Sequence, residues 1–402
     1  MFNLSDFISA HVTKRPVSMF RNDIERNKVL LTQKIQGKRV LVIGGAGSIG
    51  SSFIKAILPF KPSSLVVVDT NENALAELTR DLRSTKGMYI PEDFVPYPMD
   101  FASPVFRKMF LKRGGFDIVG NFSAHKHVRS EKDIYSVEAL LQNNVLHAKQ
   151  LLELLADYPP EEYFCVSTDK AANPVNIMGA SKRIMEDVIF SYSDKFPVKT
   201  ARFANVAFSN GSLPAGFLAR IQKLQPLSAP SDVRRYFVSP EESGQICMLA
   251  CMLGENRAIF FPKLAEAQMM TFDAIATELL HAHGYEVLEC NSDAEAIEKA
   301  ELLKSGSRQY PVHYSKSDTS GEKPFEEFVT DTESADMERF SSLGVITGKA
   351  IPDQKRVQKL FDDLNSVFDK TETTKEEVVN IMKSYLPNFE HIETGKSLDS
   401  KM

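Results

Sequence analysis

Short apolar runs alternate with helical patterns between residues 39 and 203. The first run, Arg39 to Ile43, reads RVLVI, and the later runs are similarly short and rich in β-branched residues. Unbroken apolar runs separated by helices are typical of parallel strands that are covered on both faces. The pattern therefore predicts an α/β fold, a Rossmann-type doubly wound parallel sheet. The predicted strands are Arg39–Ile43, Leu65–Val68, Val95–Met99, Asp117–Phe122, Tyr163–Ser167 and Val198–Phe203.

Helical periodicity fills the intervals between these runs, and the alternation loosens beyond Ser209. There the pattern predicts a loop over Leu224–Arg235 and then further helices. The predicted helices are Ser51–Leu58, Asn73–Leu82, Ser103–Lys112, Val137–Leu155, Met178–Tyr192, Glu241–Leu253, Thr271–His283, Asp293–Lys304, Lys355–Phe368 and one that starts at Lys375.

Composition excludes several classes of protein. The 402 residues are 43 % apolar and 25 % charged, which is ordinary for a globular chain, and the net charge of −5 gives no basic surface for nucleic acid. The longest apolar stretch, Ile246 to Leu253, is too short to cross a membrane, so we expect no membrane span and a cytoplasmic protein. The four cysteines form no CxxC pair, and no cluster has metal-ligand spacing, so no metal is predicted.

A glycine-rich turn follows the first predicted strand and opens a helix. Residues 44–50 read GGAGSIG, which satisfies the GxGxxG pattern. Glycines are needed there because the turn uses backbone angles that a Cβ obstructs, and because the main chain must approach a pyrophosphate at the helix N-terminus. Asp69 ends the second strand at the spacing where a carboxylate binds an adenosine ribose, which favours NAD over NADP. The alternatives are a turn without ligand and a simple strand-end cap by Asp69.

A second polar cluster, Thr168-Asp169-Lys170, lies at the carboxyl end of a predicted strand, where doubly wound folds bind their ligands. Met178 and Lys182 follow on one face of the next helix, four residues apart. An adjacent carboxyl group and amine can supply an acid and a base. A solvated turn pair is the alternative interpretation.

Five motifs together resemble the nucleotide-sugar 4,6-dehydratases, extended short-chain dehydrogenases that act on UDP-N-acetylglucosamine in bacterial surface-glycan synthesis. The resemblance covers about residues 38–330 in ordered succession. The motifs are SAHKHV (Ser123–Val128), STDKAANPVNIMGASKRIMEDVIF (Ser167–Phe190), RFANVAFSNGS (Arg202–Ser212), RRYF (Arg234–Phe237) and GEKPFEE (Gly321–Glu327).

The resemblance implies a lyase that uses bound NAD to form a UDP-4-keto-6-deoxy-N-acetylhexosamine. It assigns Lys170 as the base at sugar C5, Asp169 as the acid at the C6 oxygen, and Thr168 as the partner of the C4 hydroxyl. The cofactor-binding residues that it implies, with those of the glycine turn, are Gly44, Gly47, Ser48, Ile49, Gly50, Asp69, Asp100, Phe122, Ser123, Ala124, Asn144, Lys182 and Val206. The substrate-binding residues are Lys126, Asn173, Asn205, Asn210, Ser212, Arg234 and Arg235.

Met178 stands where short-chain dehydrogenases usually carry a catalytic tyrosine. Methionine cannot exchange a proton, and the family branch with this replacement retains configuration at C5, so the resemblance implies retention. Two alternatives remain: an epimerase of the same fold, which loses no water, and a non-catalytic NAD-binding sensor.

We therefore expect four parts in the chain. Residues 1–37 form a helical arm that packs on the domain or on a neighbouring subunit, and a homo-oligomer is expected. Residues 38–210 form an NAD-binding core, and residues 211–350 a smaller α/β substrate-binding part interleaved with it. Residues 351–402 form helices and a disordered tail.

Overall fold

The strands follow the alternation that the sequence predicts as far as residue 203. The structure is a computed structural model that describes residues 2–127, 131–317 and 326–392. The strands are β1 (Arg39–Ile43), β2 (Ser64–Asp69), β3 (Asp93–Pro98), β4 (Ile118–Asn121), β5 (Glu162–Val166), β6 (Val198–Ala201), β7 (Asn205–Val206), β8 (Leu227–Pro230), β9 (Arg234–Arg235), β10 (Phe237–Val238), β11 (Ile259–Pro262), β12 (Met270–Thr271), β13 (Glu286–Cys290), β14 (Gln309–Ser315), β15 (Ala335–Asp336) and β16 (Leu343–Ile346).

Helices also occupy the intervals between the first six strands, as the periodicity predicts. The α-helices of the described residues are α1 (Leu4–Phe7), α2 (Arg21–Arg26), α3 (Lys28–Ile35), α4 (Ser48–Ile57), α5 (Glu72–Ser84), α6 (Pro104–Arg113), α7 (Ile134–Leu141), α8 (His147–Asp157), α9 (Ile177–Phe190), α10 (Leu213–Gln222), α11 (Pro240–Leu253), α12 (Phe272–Ala282), α13 (Asp293–Lys299), α14 (Glu301–Lys304), α15 (Gln354–Phe368) and α16 (Lys375–Tyr385). Of these, none is long and apolar enough to cross a membrane.

One large sheet organises the molecule. Within the described residues its strand order is β15-β16-β11-β6-β5-β4-β1-β2-β3, and the strands from β3 to β11 are parallel. The chain first builds outward from β1 to β3, then returns and builds from β4 in the opposite direction. The order therefore reverses between β1 and β4, and this switch point opens a crevice at the carboxyl ends of the strands. The predicted doubly wound α/β fold is confirmed.

Helices cover both faces of this sheet. Leu41 and Ile43 of β1 belong to one buried apolar cluster, whereas Val40 and Val42 belong to the cluster on the other face. Successive side chains of a strand point to opposite faces, so an unbroken apolar strand is stable only between two covered faces. The apolar runs of the sequence are thereby explained.

Three predicted elements differ in the structure. The predicted helix Val137–Leu155 is divided by a π-helical turn at Gln142–Leu146. The predicted loop over Leu224–Arg235 is wrong, because it contains β8 and β9, which pair with the distant strands β14 and β12. The predicted helix Asp293–Lys304 is two short helices. Short strands with proline and serine carry little local signal, and long-range pairing decides them.

The N-terminal arm packs on its own chain. Arg15 makes two hydrogen bonds, of 2.7 and 2.6 Å, to the buried carboxylate of Glu242 on α11. Asp23 accepts hydrogen bonds from the backbone N–H groups of Ser341 and Ser342, at 2.7 and 2.9 Å. We expect the arm to pack either on its own domain or on a neighbouring subunit, and the structure contains the contact within the chain.

The C-terminal helices α15 and α16 cover α8 and α9. Phe361 and Met382 belong to the same apolar cluster as Val188 of α9, and Lys149 of α8 lies 5.0 Å from the centre of the Phe361 ring. The cluster makes the C-terminal helices part of the core. Residues 393–402, for which we predict disorder, lie outside the described residues.

Candidate active site

The glycine turn lies at the switch point of the sheet. Gly44 directly follows β1 and has a φ of +70°, and a Cβ placed on it would lie 2.5 Å from the backbone nitrogen of Ser123. A Cβ on Gly50 would lie 2.3 Å from the carbonyl oxygen of Gly44. Real side chains do not tolerate such distances, so both positions require glycine. The turn, the start of α4 and the loop after β4 therefore meet at backbone distance.

This turn leaves an anion cradle at the start of α4. Gly47 is the N-cap residue of α4 and supplies no side-chain hydrogen bond, so no side-chain cap satisfies the first N–H groups of that helix. Ser48 Oγ accepts a 2.8 Å hydrogen bond from the backbone N–H of Asn210, and Ile49 packs partly buried against the core. Bare N–H groups at a helix N-terminus, reached through glycines, fit the pyrophosphate of a dinucleotide.

Asp69 ties the end of β2 to this turn. Its carboxylate oxygens accept hydrogen bonds from the N–H groups of Ala46, at 3.0 Å, and Asn71, at 2.9 Å. The strand-end cap by Asp69, which is one of the alternatives from the sequence, is thus present. It fixes the Asp69 carboxylate at the edge of the sheet where the strand order reverses. Asp100 follows β3, is exposed, and accepts a 2.8 Å hydrogen bond from the N–H of Ala102.

The loop after β4 is held by Asn144, which the π-helical turn carries. Asn144 accepts a hydrogen bond from His125 N and donates one to His125 O, both at 2.9 Å. It also donates to Ser181 Oγ at 3.1 Å, which in turn donates to the carbonyl of Met178 at 2.7 Å. Asn144 therefore connects the loop that contains Phe122, Ser123 and Ala124 to the first turn of α9.

Thr168, Asp169 and Lys170 come together directly after β5. Thr168 Oγ1 donates a 2.6 Å hydrogen bond to Asp169 Oδ1, and Lys170 Nζ lies 3.3–3.4 Å from both carboxylate oxygens of Asp169. Asp169 is only 4 % exposed, whereas Thr168 and Lys170 are half-buried. A buried carboxylate thus lies between a hydroxyl and an amine that can both reach a ligand.

Helix α9 packs tightly against this cluster. A Cβ on Gly179 would lie 2.6 Å from the carbonyl oxygen of Lys170, so glycine permits the close approach. The first turn is doubly capped, because Asn176 accepts from Gly179 N at 2.7 Å, and the Glu131 carboxylate accepts from Ile177 N and Met178 N at 3.0 and 2.8 Å. Glu131 was not predicted from the sequence, and no local pattern marks it.

Lys182 and Met178 lie one turn apart on α9, as predicted, and both are nearly fully buried. Lys182 Nζ contacts Met185 Sδ at 3.6 Å and pairs with no carboxylate among the described residues. Burial lowers the pKa of the lysine, because a charged amine is costly away from water. Met185 is a core residue, as predicted.

The predicted substrate-binding residues fall into two groups. Asn205, Asn210 and Arg235 lie on segments that border the crevice: Asn205 in β7, next to Val206, Asn210 beside Ser48, and Arg235 buried in β9. Three residues of the second group have contacts of their own: Asn173 donates to Glu327 at 3.0 Å, Ser212 caps α10, and Arg234 pairs with Glu266 at 3.3 Å. The fourth residue, Lys126, is exposed on the loop after β4.

Glu326 is a second residue that motif spacing did not single out. It is 8 % exposed, and its Oε1 accepts a 2.5 Å hydrogen bond from Asn205 Nδ2. Burial and the nearby charge of Asp169 raise the pKa of Glu326 to about 7. Glu326 belongs to the motif GEKPFEE, which is the feature of the sequence that could have identified it. Residues 321–325 of that motif and Val128 of the motif SAHKHV lie outside the described residues.

A buried ion pair supports the site from behind. Arg202 and Glu186 are both 0 % exposed and share hydrogen bonds of 2.8 and 2.7 Å. Glu186 also accepts a 2.7 Å hydrogen bond from Ser167, the residue before the Thr168 cluster. Burial opposes the ionisation of Glu186, but the Arg202 guanidinium outweighs it and lowers the pKa of the carboxyl group. The pair fixes the end of β5.

The family of this chain follows from its sequence match. The sequence profile of the family described as polysaccharide biosynthesis protein matches residues 40–347. The chain belongs to this family. All five motifs and the glycine turn lie in full within the matched residues.

Its curated relatives are distant. "Uncharacterized membrane protein MJ1061" of Methanocaldococcus jannaschii is 29 % identical over 87 % of this chain and 97 % of its own length. "Probable polysaccharide biosynthesis protein EpsC" of Bacillus subtilis is 28 % identical over 78 % of this chain, which spans only 50 % of that protein. A Campylobacter jejuni "UDP-N-acetylglucosamine 4,6-dehydratase (inverting)" is 24 % identical over 61 % of this chain and 73 % of its own.

Solved structures agree on the fold. The structure of Pen from Bacillus thuringiensis covers 82 % of this chain and 98 % of its own, with a TM-score of 0.63 and 18 % identity. At that identity the likeness concerns the fold alone.

Proposed function

We propose that the chain dehydrates UDP-N-acetylglucosamine to a UDP-4-keto-6-deoxy-N-acetylhexosamine, with NAD as a bound cofactor and with retention at C5. The hydrogen-bonded set Thr168-Asp169-Lys170 carries this proposal, because it lies at the carboxyl end of β5, on the same edge of the parallel sheet as the glycine cradle after β1. A relative named for UDP-N-acetylglucosamine 4,6-dehydration supports the substrate and the reaction. That relative is named as inverting, so retention rests on Met178 in place of tyrosine.

The glycine cradle is the proposed cofactor site. Gly44, Gly47 and Gly50 allow the approach of a pyrophosphate to α4, and Asp69 would bind the adenosine ribose. When bound, NAD⁺ supplies a temporary hydride acceptor for the carbon at C4 of the sugar. Lys182 would bind the nicotinamide ribose after leaving its contact with Met185.

Thr168 and Asp169 would handle the protons of the two sugar oxygens. The C4 hydroxyl must lose a proton, and the C6 hydroxyl must gain one to leave as water. Thr168 already donates to Asp169, so it can accept the C4 proton while it passes its own proton to the carboxylate. Asp169, now protonated, then donates to the departing C6 oxygen. One proton thereby moves from C4 to the released water, and Asp169 returns to its starting state.

Lys170 would remove the C5 proton and later deliver a proton, exchangeable with solvent, to the same carbon. C5–H is acidic only beside a ketone at C4, so this step follows the loss of the C4 hydrogen. A single group on one face of the sugar that removes one proton from C5 and delivers another to it is consistent with retention. The half-buried Nζ of Lys170 is accessible, and it belongs to the same hydrogen-bonded cluster as the acid.

The decisive experiment is incubation of the full chain with UDP-N-acetylglucosamine and NAD⁺ in D₂O, followed by mass spectrometry and NMR. We expect a product that is lighter by one water, with deuterium at C5 and retained configuration. A product of unchanged mass would identify an epimerase, and absence of any conversion would refute enzymatic activity on this sugar.

Lys170→Ala is the test variant, and Lys359→Ala, at an exposed position of α15, is its control. Lys170→Ala should abolish conversion while leaving NAD⁺ binding intact by calorimetry, whereas Lys359→Ala should behave as the wild type. Normal turnover by Lys170→Ala would remove Lys170 from the mechanism.

A further inference from the structure

The N-terminal arm contacts the loop that follows β7. The ring of Phe7, at the end of α1, lies 5.9 Å from the ring of Phe208, and the two rings meet edge to face at an angle of 81°. Phe7 is 4 % exposed and belongs to the same apolar cluster as Ala207 and Phe237. Edge-to-face pairs have a preferred geometry, so the contact fixes the position of the loop relative to the arm.

The arm also holds the strand beside this loop. Arg15 donates a 2.9 Å hydrogen bond to the carbonyl of Phe237, and its guanidinium is paired with the buried carboxylate of Glu242. Phe237 is the residue of β10 that pairs with Asn205 of β7. Arg15 and Phe7 therefore act on one short strand and on the loop that it leads into.

The backbone of Phe208 is strained. Its φ is +55°, in the left-handed region that residues with a large side chain rarely adopt. The chain turns again directly afterwards, where Ser212 N donates to the carbonyl of Ser209 at 2.9 Å. A strained conformation persists only where the surrounding structure holds it, and here the ring of the strained residue is the one that contacts the arm. The observed strain points to a function of this loop.

The tip of the loop contacts both borders of the glycine cradle. Asn210 N donates to Ser48 Oγ at 2.8 Å, and Ser48 is the first residue of α4. Gly211 has a φ of +75°, and a Cβ placed on it would lie 2.8 Å from Nε2 of His127, so the imidazole packs against the Gly211 backbone. His127 belongs to the loop after β4, which is the other border. The tip therefore lies beside the N–H groups that a pyrophosphate would use.

We propose that the N-terminal arm retains the cofactor: Phe7 is a positioning residue that holds Phe208, and thereby keeps the tip of the loop on the cradle and slows the release of NAD. The inference rests on the proposed function, which assigns NAD to this cradle, and extends it to the arm. A dinucleotide leaves the cradle when the contacts of Asn210 and Gly211 open. Loss of the Phe7–Phe208 contact makes this opening easier, because the tip loses its anchor on the arm.

The rate of NADH release from the full chain tests this role without sugar turnover. Excess NAD⁺ is added to the NADH complex, and the loss of NADH fluorescence gives the dissociation rate constant. We expect Phe7→Ala to raise this constant at least fivefold, and Phe7→Leu, which keeps most of the buried volume, to stay within twofold of the wild type. Leu31→Ala is the matched control, because Leu31 is a fully buried residue of the same arm that packs in a different apolar cluster. It should leave NADH release unchanged.

Phe208→Ala removes the same contact from the side of the loop. Phe208 is only half-buried, so this variant keeps the test valid if Phe7→Ala fails to fold. We expect at least a fivefold increase here as well, and a double variant that releases NADH no faster than the faster single variant, because both substitutions break one contact. Hydrogen exchange of the cofactor-free protein is the second readout: residues 207–212 should exchange faster in both single variants than in the wild type.

An increase in the rate constant below fivefold in either folded single variant would overturn the proposal. The same holds for effects that multiply in the double variant, for an equal increase in Leu31→Ala, and for unchanged hydrogen exchange of residues 207–212. Failure of the wild type to bind NADH would instead refute the proposed cofactor site, which keeps the two failures distinct.

Discussion

Thr168 Oγ1 donates a 2.6 Å hydrogen bond to Asp169 Oδ1, so a half-buried hydroxyl is connected directly to a buried carboxylate. In the proposed mechanism, in which no tyrosine is present at position 178, this contact provides the path for the C4 proton. Met178 is a buried residue of α9, and its thioether cannot exchange a proton.

Thr168→Val should therefore lower kcat about 100-fold, since general acid–base groups contribute roughly 10²–10⁴-fold. Valine matches the shape of threonine and removes only the hydroxyl. Thr168→Ser restores the hydroxyl and should stay within about tenfold of the wild type. Steady-state kinetics of dehydration, with NAD⁺ affinity measured in parallel, decide the matter. Equal rates for the valine and serine variants would contradict the proton path.

Met178→Leu should keep kcat within about threefold of the wild type. The two side chains have similar volume, and volume-conserving exchanges in a packed site are well tolerated. The N–H of residue 178 still donates to Glu131, so the start of α9 is unchanged. A loss of more than 30-fold under the same assay would mean that the sulfur atom itself takes part in the reaction.

Gly44→Ala should abolish NAD⁺ binding and destabilise the protein. The added Cβ meets the Ser123 backbone at 2.5 Å, where neither chain can move without breaking the strand ends apart. Gly87→Ala is the matched control: Gly87 also has a positive φ, of +78°, but nothing lies within 4 Å of its Cβ position. The control should cost only about 1 kcal/mol of backbone strain and leave NAD⁺ affinity unchanged by calorimetry. Similar affinities in both variants would disprove the cradle.

The sequence identifies the elements whose signal is local. Strands β1 and β2 are apolar, β-branched runs, and the glycine turn and Thr168 cluster each occupy a few consecutive residues. Glu131 and Glu326 could not be assigned in this way, because each acts on residues far along the chain: Glu131 caps α9 more than forty residues away, and Glu326 contacts Asn205. Their roles exist only once the long-range packing is formed.

The same reasoning applies to the short strands beyond β7. Strands β8 and β9 pair with β14 and β12, whose sequences carry no matching pattern, so the region was predicted to be a loop. The π-helical turn that carries Asn144 has a similar origin. The side-chain amide of Asn144 forms a hydrogen bond with His125 on another loop, and this contact has no counterpart in the local helical pattern.

Arg202→Met should lower the free energy of unfolding by about 3–5 kcal/mol, because it removes the shared partner of two buried carboxylates. Glu186 then keeps the longer contact of 3.6 Å with Arg183, and Glu333 keeps its pair with Lys349. The control is Lys359→Met, which removes the exposed pair with Asp363 and should cost no more than about 1 kcal/mol. Urea unfolding monitored by circular dichroism measures both. The double variant Arg202→Met with Glu186→Leu should recover part of the lost free energy of unfolding. If Arg202→Met lost as little as the control, the ion pairs of Arg202 with Glu186 and Glu333 would contribute little to stability.

Glu326→Gln should make the protein less sensitive to alkaline pH. The folded-state pKa of Glu326 is about 7, above the ordinary value of 4.5, so between these values the folded state binds more protons than the unfolded state. Stability must therefore fall as pH rises through this window. Between pH 5 and pH 8 the wild type should lose roughly 2.5 kcal/mol more than the variant, since each pKa unit corresponds to about 1.4 kcal/mol.

Urea unfolding of both proteins at pH 5, 6, 7 and 8 measures this difference, and Glu338→Gln serves as the exposed control that should follow the wild type. All other titrating groups are shared, so they cancel in the comparison. A gap between the wild type and Glu326→Gln that stays constant with pH would mean that Glu326 ionises in the folded protein as it does in the unfolded chain. In that case its carboxyl group would already be charged well below neutral pH, and the buried contacts with Asn205 and Tyr236 would have to stabilise the charge completely.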